Sequence, residues 1–104
     1  MRIHQTFGEQ LRQLRESAKL SLREVAEKID IDPSLLAKIE RDQRPPNKTL
    51  IKKVSEFFQV SEKTLLEEYL SDQIAYKILD ENADLHILKV AEEKVTYLKM
   101  RKNE

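Results

Sequence analysis

The segment from Ser21 to Arg41, SLREVAEKIDIDPSLLAKIER, constrains the fold more than any other part of this chain. Ser21 and Glu24 have the spacing of a capping box, in which two side chains close the first turn of a helix. Asp32 is followed by Pro33, and proline is favoured at the first position of a helix because its missing N–H is not needed there. The segment is therefore predicted to hold two short helices joined by a tight turn.

The apolar residues of this segment fall where two such helices bury a common face. We predict helices over Leu22–Ile29 and Pro33–Arg41, with a turn at residues 30–32. Three polar residues of the second helix, Ser34, Lys38 and Arg41, are predicted to point outward. The predicted inward residues are Val25, Ala26, Ile29, Ile31, Leu36 and Ile39.

Similar capping signals predict three further helices around this pair. Thr6 and Glu9 form a second capping-box pattern, while Asn47 and Ser61 are typical cap residues before apolar runs. Gly8, the one glycine, lies inside the first helix, which suggests close approach by another backbone. The predicted spans are Phe7–Lys19, Lys48–Phe58 and a helix from Ser61 to about Leu70, with Asp42–Pro46 as a loop.

The last third of the chain is predicted to be a helical extension. Two helices are expected, over Ser71–Leu79 and Ala83–Met100, and the second carries apolar residues at spacings of three and four. Its apolar stripe either folds back on the first five helices or pairs with a second chain, and we favour pairing. The residues concerned are Leu85, Leu88, Val95 and Leu98. The chain is therefore predicted to be all-α, with a domain at residues 1–70 and a helical extension at residues 71–104.

Composition excludes several chemistries. With one glycine among 104 residues, the chain cannot form a glycine-rich phosphate-binding loop, and without cysteine it has no thiolate nucleophile or zinc–thiolate site. His4 and His86 are isolated, so no metal site is predicted. The carboxylates are spread over helix surfaces. We therefore expect neither an enzyme nor a cofactor.

The charge distribution is compatible with an anionic partner although the net charge is zero, and equally with Lys and Arg side chains that only solvate a helical surface. Residues 1–60 carry 12 Lys and Arg against 9 Asp and Glu, an excess of three positive charges, and residues 61–104 carry the opposite excess. A local basic patch suffices for phosphate contact. The bases closest together are Lys38, Arg41, Arg44, Lys48, Lys52 and Lys53. No signal peptide or membrane-spanning run is predicted, so we expect a cytoplasmic protein.

Residues 7–70 resemble the helix-turn-helix domain of the phage repressor and Cro group, the XRE family. The resemblance lies in FGEQLRQLRESAKLSLREVAEKI, which matches the first two helices of the family, and in SLLAKIERDQRPPNKTLIKKVSEFFQV, which matches the third helix, the loop and the fourth helix. It implies a five-helix, lambda-repressor-like domain that binds double-stranded DNA with its third helix in the major groove.

The resemblance also implies roles for individual residues. In the family, the third helix contacts base edges, the following loop contacts phosphates, and an ion pair joins the first helix to the third. When these roles are transferred position by position, the implied base contacts are Ser34, Lys38 and Arg41. The implied phosphate contacts are Arg23, Gln43, Arg44 and Lys48. The implied structural salt bridge joins Arg15 to Glu40.

Four positions depart from the family pattern. Leu22 and Pro33 stand where polar, DNA-contacting side chains are usual, and neither can make those hydrogen bonds. Asp30 and Asp42 replace glycines that are frequent at the turn and in the loop, although aspartate can adopt the left-handed conformation at some cost. Asp32 is predicted to cap its helix, and it could also accept a bond from cytosine N4.

The function predicted from the sequence is transcriptional regulation by a homodimer that binds a palindromic operator, since two-fold dimers reading two half-sites are the usual solution. The alternative is an antitoxin or regulatory subunit that works mainly through protein–protein contact. No small-molecule effector is expected. The sequence does not decide between activator and repressor.

Overall fold

The computed structural model describes residues 5–103, and this range contains helices and turns but no strand. Residues 1–4 and 104 lie outside the description, so the prediction for His4 is not addressed. The six helices are α1 Phe7–Ser17, α2 Leu22–Lys28, α3 Pro33–Glu40, α4 Lys48–Phe58, α5 Glu62–Asp80 and α6 Ile87–Lys102. The all-α prediction is confirmed.

The predicted starts of α1 to α5 are confirmed by their hydrogen bonds. At α1, Thr6 Oγ1 accepts from the Glu9 N–H at 3.1 Å and Glu9 Oε1 accepts from the Thr6 N–H at 3.0 Å, which closes the capping box. Ser21 and Glu24 close the same arrangement at α2. Asp32, Asn47 and Ser61 each accept a backbone N–H at the starts of α3, α4 and α5. Each helix of the first unit therefore has a locally encoded beginning.

Left-handed residues close the turns after α1 to α5, and none of them is glycine. At Asp30, for example, φ is 56°, its N–H donates to Glu27 O at 3.3 Å, and the next N–H, of Ile31, donates to Ala26 O at 2.9 Å. This is the Schellman pattern, which satisfies the last carbonyls of a helix. The residues with positive φ among those described are Lys19, Asp30, Asp42, Gln59 and Asn82. The left-handed conformation expected for the two aspartates is confirmed.

A single apolar core lies among the first five helices. Val25, Ala26 and Leu36 are fully buried, so α2 and α3 meet through small and branched side chains. The predicted face of α1 is confirmed at Phe7 and Leu11. The other buried apolar residues are Ile29, Ile39, Leu50, Ile51, Val54 and Leu65.

The helix that follows Ser61 is longer than predicted. We expected an end near Leu70 and a new helix from Ser71, but α5 is continuous from Glu62 to Asp80. The Ser71 hydroxyl donates to the Glu68 carbonyl at 3.1 Å instead of capping a new helix, and no glycine or proline interrupts the segment. The chain separates into two compact units, and their boundary falls inside α5, between Gln73 and Ile74.

The second unit comprises the end of α5, a turn and α6. The predicted start of its last helix, Ala83, is wrong, because α6 begins at Ile87. Asp84 Oδ1 instead accepts the His86 N–H at 2.7 Å, which holds the preceding residues in a turn. Of residues 74–103, none is buried. The exposed fractions of the predicted stripe are 71% for Leu85, 45% for Leu88, 51% for Val95 and 53% for Leu98.

Candidate nucleic-acid interface

Helix α3 divides into a buried side and an exposed side. Leu36 and Ile39 are buried at 0% and 2% exposure and anchor the helix in the core of the first unit. Ser34, Lys38 and Arg41 are exposed, as the helical period requires of residues on the opposite side. The three predicted base-contacting side chains are therefore presented together at one surface.

A bidentate ion pair holds the end of α3 to α1. Arg15 Nε donates to Glu40 Oε2 at 2.8 Å, and Arg15 Nη2 donates to Glu40 Oε1 at 3.0 Å. Arg15 Nη1 also donates to the Leu20 carbonyl at 3.0 Å, which ties in the connection to α2. The two side chains are 14% and 4% exposed. The hydrogen bonds that Arg15 donates to Glu40 raise the pKa of Arg15, outweighing the effect of its partial burial. One guanidinium thus positions α3 against its neighbours.

Gly8 allows the backbone at the end of α3 to come close to α1. A Cβ atom at this position would lie 2.8 Å from the Glu40 carbonyl oxygen and closer still to the Ile39 carbonyl oxygen. Such separations are shorter than atomic contacts allow. The close approach suggested by the lone glycine is confirmed.

Two aspartates meet the N-terminal turn of α1 from different parts of the chain. Asp42, in the left-handed position after α3, accepts the Thr6 hydroxyl hydrogen bond at 2.7 Å. Asp72, on α5, accepts the Phe7 N–H at 2.7 Å. Burial raises the pKa of Asp72 above its ordinary value, the bond from Phe7 opposes this, and the Asp42 charge adds to the rise. These contacts fix the start of α1 relative to the residue that follows α3 and to α5.

The loop after α3 is held by main-chain bonds while its side chains stay exposed. The Gln43 N–H donates to the Lys38 carbonyl at 2.8 Å, and the Asp42 N–H donates to the Ile39 carbonyl at 3.1 Å. Gln43 and Arg44 are exposed. Lys48 at the start of α4 and Arg23 at the start of α2 are exposed too. The predicted phosphate contacts are thus accessible, and they lie on helices or on a loop held by main-chain hydrogen bonds.

The residues that depart from the family pattern have structural roles. Leu22 is half-buried and packs against the apolar core, where a polar side chain would add nothing to packing. Pro33 occupies the first position of α3. Asp32 Oδ1 accepts the Ser34 N–H at 2.7 Å, so the predicted cap is confirmed.

The sequence of residues 11–65, more than half of the chain, matches the family described as Helix-turn-helix. The chain belongs to this XRE-type helix-turn-helix family of DNA-binding transcription regulators. The match covers every helix of the helix-turn-helix core, from Leu11 in α1 to Leu65 in α5. The resemblance noted in the sequence is therefore confirmed.

Three solved structures show which helix-turn-helix proteins are similar to the chain. The restriction-modification controller protein C.AhdI from Aeromonas hydrophila is 30% identical over 57% of this chain and 89% of its own, with a TM-score of 0.53. SinR, a master regulator for biofilm formation solved in complex with DNA, is 37% identical over 59% and 98%, with a TM-score of 0.55. The SinR/SinI protein complex is 28% identical over 95% and 100%, with a TM-score of 0.56. The curated proteins give no significant sequence match.

The contacts of Asp72 and Asp42 with α1 were not predicted from the helix-turn-helix sequence. Asp72 is 65 residues from its partner Phe7, and neither position carries a motif. Asp72 lies beyond Leu70, in the part of α5 that was predicted to be a separate helix. Within residues 5–103, no helix is long and apolar enough to cross a membrane.

Proposed function

We propose that this protein is a sequence-specific transcriptional regulator that binds double-stranded DNA as a homodimer, with α3 in the major groove. The observation that carries the proposal is the division of α3 into a buried side and an exposed polar side. Ser34 and Lys38 offer hydrogen bonds to base edges, and lysine favours guanine O6 and N7. Arg41 reaches a base or a phosphate from the end of the same helix.

The exposed bases around α3 support the backbone part of this proposal. Arg44 lies in the loop after α3, Lys48 is the first residue of α4, and Arg23 lies in the first turn of α2. Phosphate contacts hold a protein in register on the duplex, and they account for most of its affinity. The side-chain amide of Gln43 donates a neutral hydrogen bond to a phosphate in the same region.

The homodimer is supported by the exposed apolar residues of the second unit. Helix α6, described in full, has no buried residue, and Leu88, Val95 and Leu98 recur on it at spacings of seven and three. Contiguous apolar surface on a helix is typical of a protein interface. Pairing of two chains through this stripe, with Leu85 leading into it, would bring two copies of α3 to the two halves of a palindromic site.

A binding titration on the protein's own upstream DNA tests the function. Footprinting identifies the protected site, and fluorescence anisotropy then measures affinity for it at several salt concentrations. We expect a Kd that rises steeply with salt, because phosphate contacts release counterions, and a Kd for random DNA at least about a thousandfold weaker. Equal affinity for the site and for random DNA would contradict sequence-specific regulation.

The homodimer has its own test, independent of DNA. Light scattering should give twice the chain mass, and Leu88→Ser should shift the protein towards monomer because it removes an apolar contact from the stripe. Glu93→Ser is the matched control, since Glu93 is an exposed residue on the opposite face of the same helix. A wild-type protein that is monomeric at working concentration would rule out the dimer.

The second candidate is an antitoxin or regulatory subunit that acts through protein–protein contact. Two observations favour it: the exposed apolar residues of the second unit, and the similarity to the SinR/SinI protein complex over 95% of the chain. An interface of mostly apolar character need not weaken with salt, whereas phosphate binding must. The salt titration therefore separates the two candidates. In either case we propose a cytoplasmic location and no small-molecule effector.

A further inference from the structure

Asp32 places a carboxylate at the leading end of the helix that is proposed to read DNA. Its Oδ1 accepts the Ser34 N–H at 2.7 Å, which fixes the orientation of the side chain. The residue is exposed. Among residues 5–103, no hydrogen bond or ion pair engages its second oxygen, Oδ2. One carboxylate oxygen therefore accepts the capping hydrogen bond of α3, and the other faces outward.

The major groove offers few hydrogen-bond donors to such a carboxylate oxygen. A carboxylate is an acceptor only. Among base edges in the groove, only cytosine N4 and adenine N6 donate, whereas guanine O6 and N7, thymine O4 and adenine N7 are acceptors. Burying a carboxylate against an acceptor leaves both groups unpaired and adds repulsion. Pro33, the next residue, has no N–H that could compensate.

We propose that Asp32 is a specificity-determining residue that requires an amino-bearing base, cytosine before adenine, opposite the start of α3. Cytosine is preferred because adenine places its N7 acceptor beside its N6 donor, next to the fixed carboxylate. Asp32 acts by rejecting guanine and thymine at least as much as by attracting cytosine, and repulsion is an effective source of specificity. This inference rests on the proposed docking of α3 in the major groove.

Two substitutions separate the charge of Asp32 from its capping bond. In Asp32→Asn, the amide oxygen keeps the bond to the Ser34 N–H, so the amide NH₂ takes the place of the outward oxygen and an acceptor becomes a donor. In Asp32→Ser, the hydroxyl caps the helix and no group reaches outward. Both residues are good caps, so folding should be preserved, and thermal unfolding checks this.

The experiment is selection of binding sites from a randomised duplex library by the wild type and both variants. The wild type should enrich cytosine at one position of each half-site, by about tenfold over guanine. Asp32→Asn should change the preference at that position to guanine or thymine, and Asp32→Ser should abolish it. All other positions should be enriched as in the wild type.

The results distinguish failure of this inference from failure of the proposed function. If the wild type enriches a motif that stays the same in both variants, Asp32 reads no base although the protein is sequence-specific. If Asp32→Asn loses preferences at every position while it remains folded, the effect is not local and the inference is wrong. If the wild type enriches no motif, the proposed function itself fails, and the role of Asp32 fails with it.

Discussion

Gly8 lies against the main-chain carbonyl of Ile39, so that at this point the backbone of α1 meets the backbone at the end of α3. A methyl group at position 8 would collide with that oxygen and lie 2.8 Å from the carbonyl of Glu40. Neither oxygen is on a flexible side chain, so relief requires movement of α3 itself. The position of the proposed recognition helix therefore depends on the absence of one side chain.

Gly8→Ala should destabilise the protein although alanine is the better helix former. The collision should cost more than the gain in helix propensity, with a net loss of about 1–3 kcal/mol in the free energy of unfolding. Urea denaturation measures this loss. Gln13→Ala, at an exposed position of the same helix, should change stability by less than about 0.5 kcal/mol. A Gly8→Ala protein as stable as wild type would show that the close contact is not a constraint.

Removal of one partner from the Arg15–Glu40 pair should be strongly destabilising. Arg15→Met leaves a buried carboxylate without its counter-charge, at a cost of about 3 kcal/mol. The double substitution Arg15→Met with Glu40→Leu should recover most of this loss, because no charge then remains buried. Arg12 and Glu16, an exposed ion pair in the same helix, provide the control, and Arg12→Met should barely move the Tm. Equal losses of stability in Arg15→Met and Arg12→Met would contradict the structural role of Arg15.

Asp72 should make a contribution to stability that is lost as the pH rises. Because burial raises its pKa above the ordinary value of 3.8, the folded protein holds this proton more tightly than the unfolded chain. The contribution is full below the ordinary pKa and disappears as the pH passes through the raised value. Asp72→Asn keeps an acceptor for the Phe7 N–H, so its stability relative to wild type should increase with pH across this window.

The control for Asp72 is Glu24, whose contribution to stability should change with pH in the opposite direction. The bonds from Ser21 lower the pKa of Glu24, so Glu24 stabilises the protein above its unfolded pKa and loses this effect as the pH falls. Glu24→Gln should therefore lose stability relative to wild type as the pH rises. Unfolding curves at several pH values measure both differences, and slopes of the same sign for the two variants would contradict the assignment.

Replacement by glycine of a left-handed residue that closes a helix should stabilise the protein. At Lys19, where φ is 59°, Lys19→Gly relieves an unfavourable conformation and should add about 1 kcal/mol to the free energy of unfolding. Asp42→Gly should gain less, because it also removes the hydrogen bond from the Thr6 hydroxyl. Gln13→Gly, inside α1, should instead lose about 0.5–1 kcal/mol. Thermal unfolding ranks the three, and a larger gain at Asp42 than at Lys19 would be inconsistent with the Thr6 bond.

Lys38 and Arg44 should affect DNA binding in different ways. Lys38→Ala should reduce discrimination between operator and altered sites, at a cost of about 1–3 kcal/mol on the correct site. Arg44→Ala should weaken binding to all sites similarly and lower the salt slope by about one. Anisotropy titrations on operator and random duplexes separate the effects. Identical behaviour of the two variants would refute the division into base and phosphate contacts.

The beginnings of the helices were predictable because capping is local. Thr6, Ser21 and Asp32 lie within three residues of the groups they cap, and all three caps are present. The ends of α1, α2 and α3 were predicted one or two residues too far, as at Lys19 and Arg41, because a left-handed closing residue is recognisable in sequence mainly when it is glycine. Local signals therefore determine starts better than ends in this chain.

The arrangement of the site was less predictable than its residues. The side chains on the outer face of α3 follow from helical periodicity and family resemblance together. The bond between Asp72 and Phe7 joins positions 65 residues apart, and Asp72 lies in the part of α5 where a separate helix was predicted to begin. Such long-range contacts have no signature in a single sequence because packing, and not local propensity, selects them.

Helix α6 has 16 residues, none of them buried, and isolated helices of this length are marginally stable in water. If two chains pair through its stripe, association also supplies the stability that the helix lacks. The amount of binding-competent protein then depends on the square of the chain concentration. Operator occupancy would rise abruptly once synthesis exceeds a threshold, so that a small change in gene dosage or degradation rate switches the target genes.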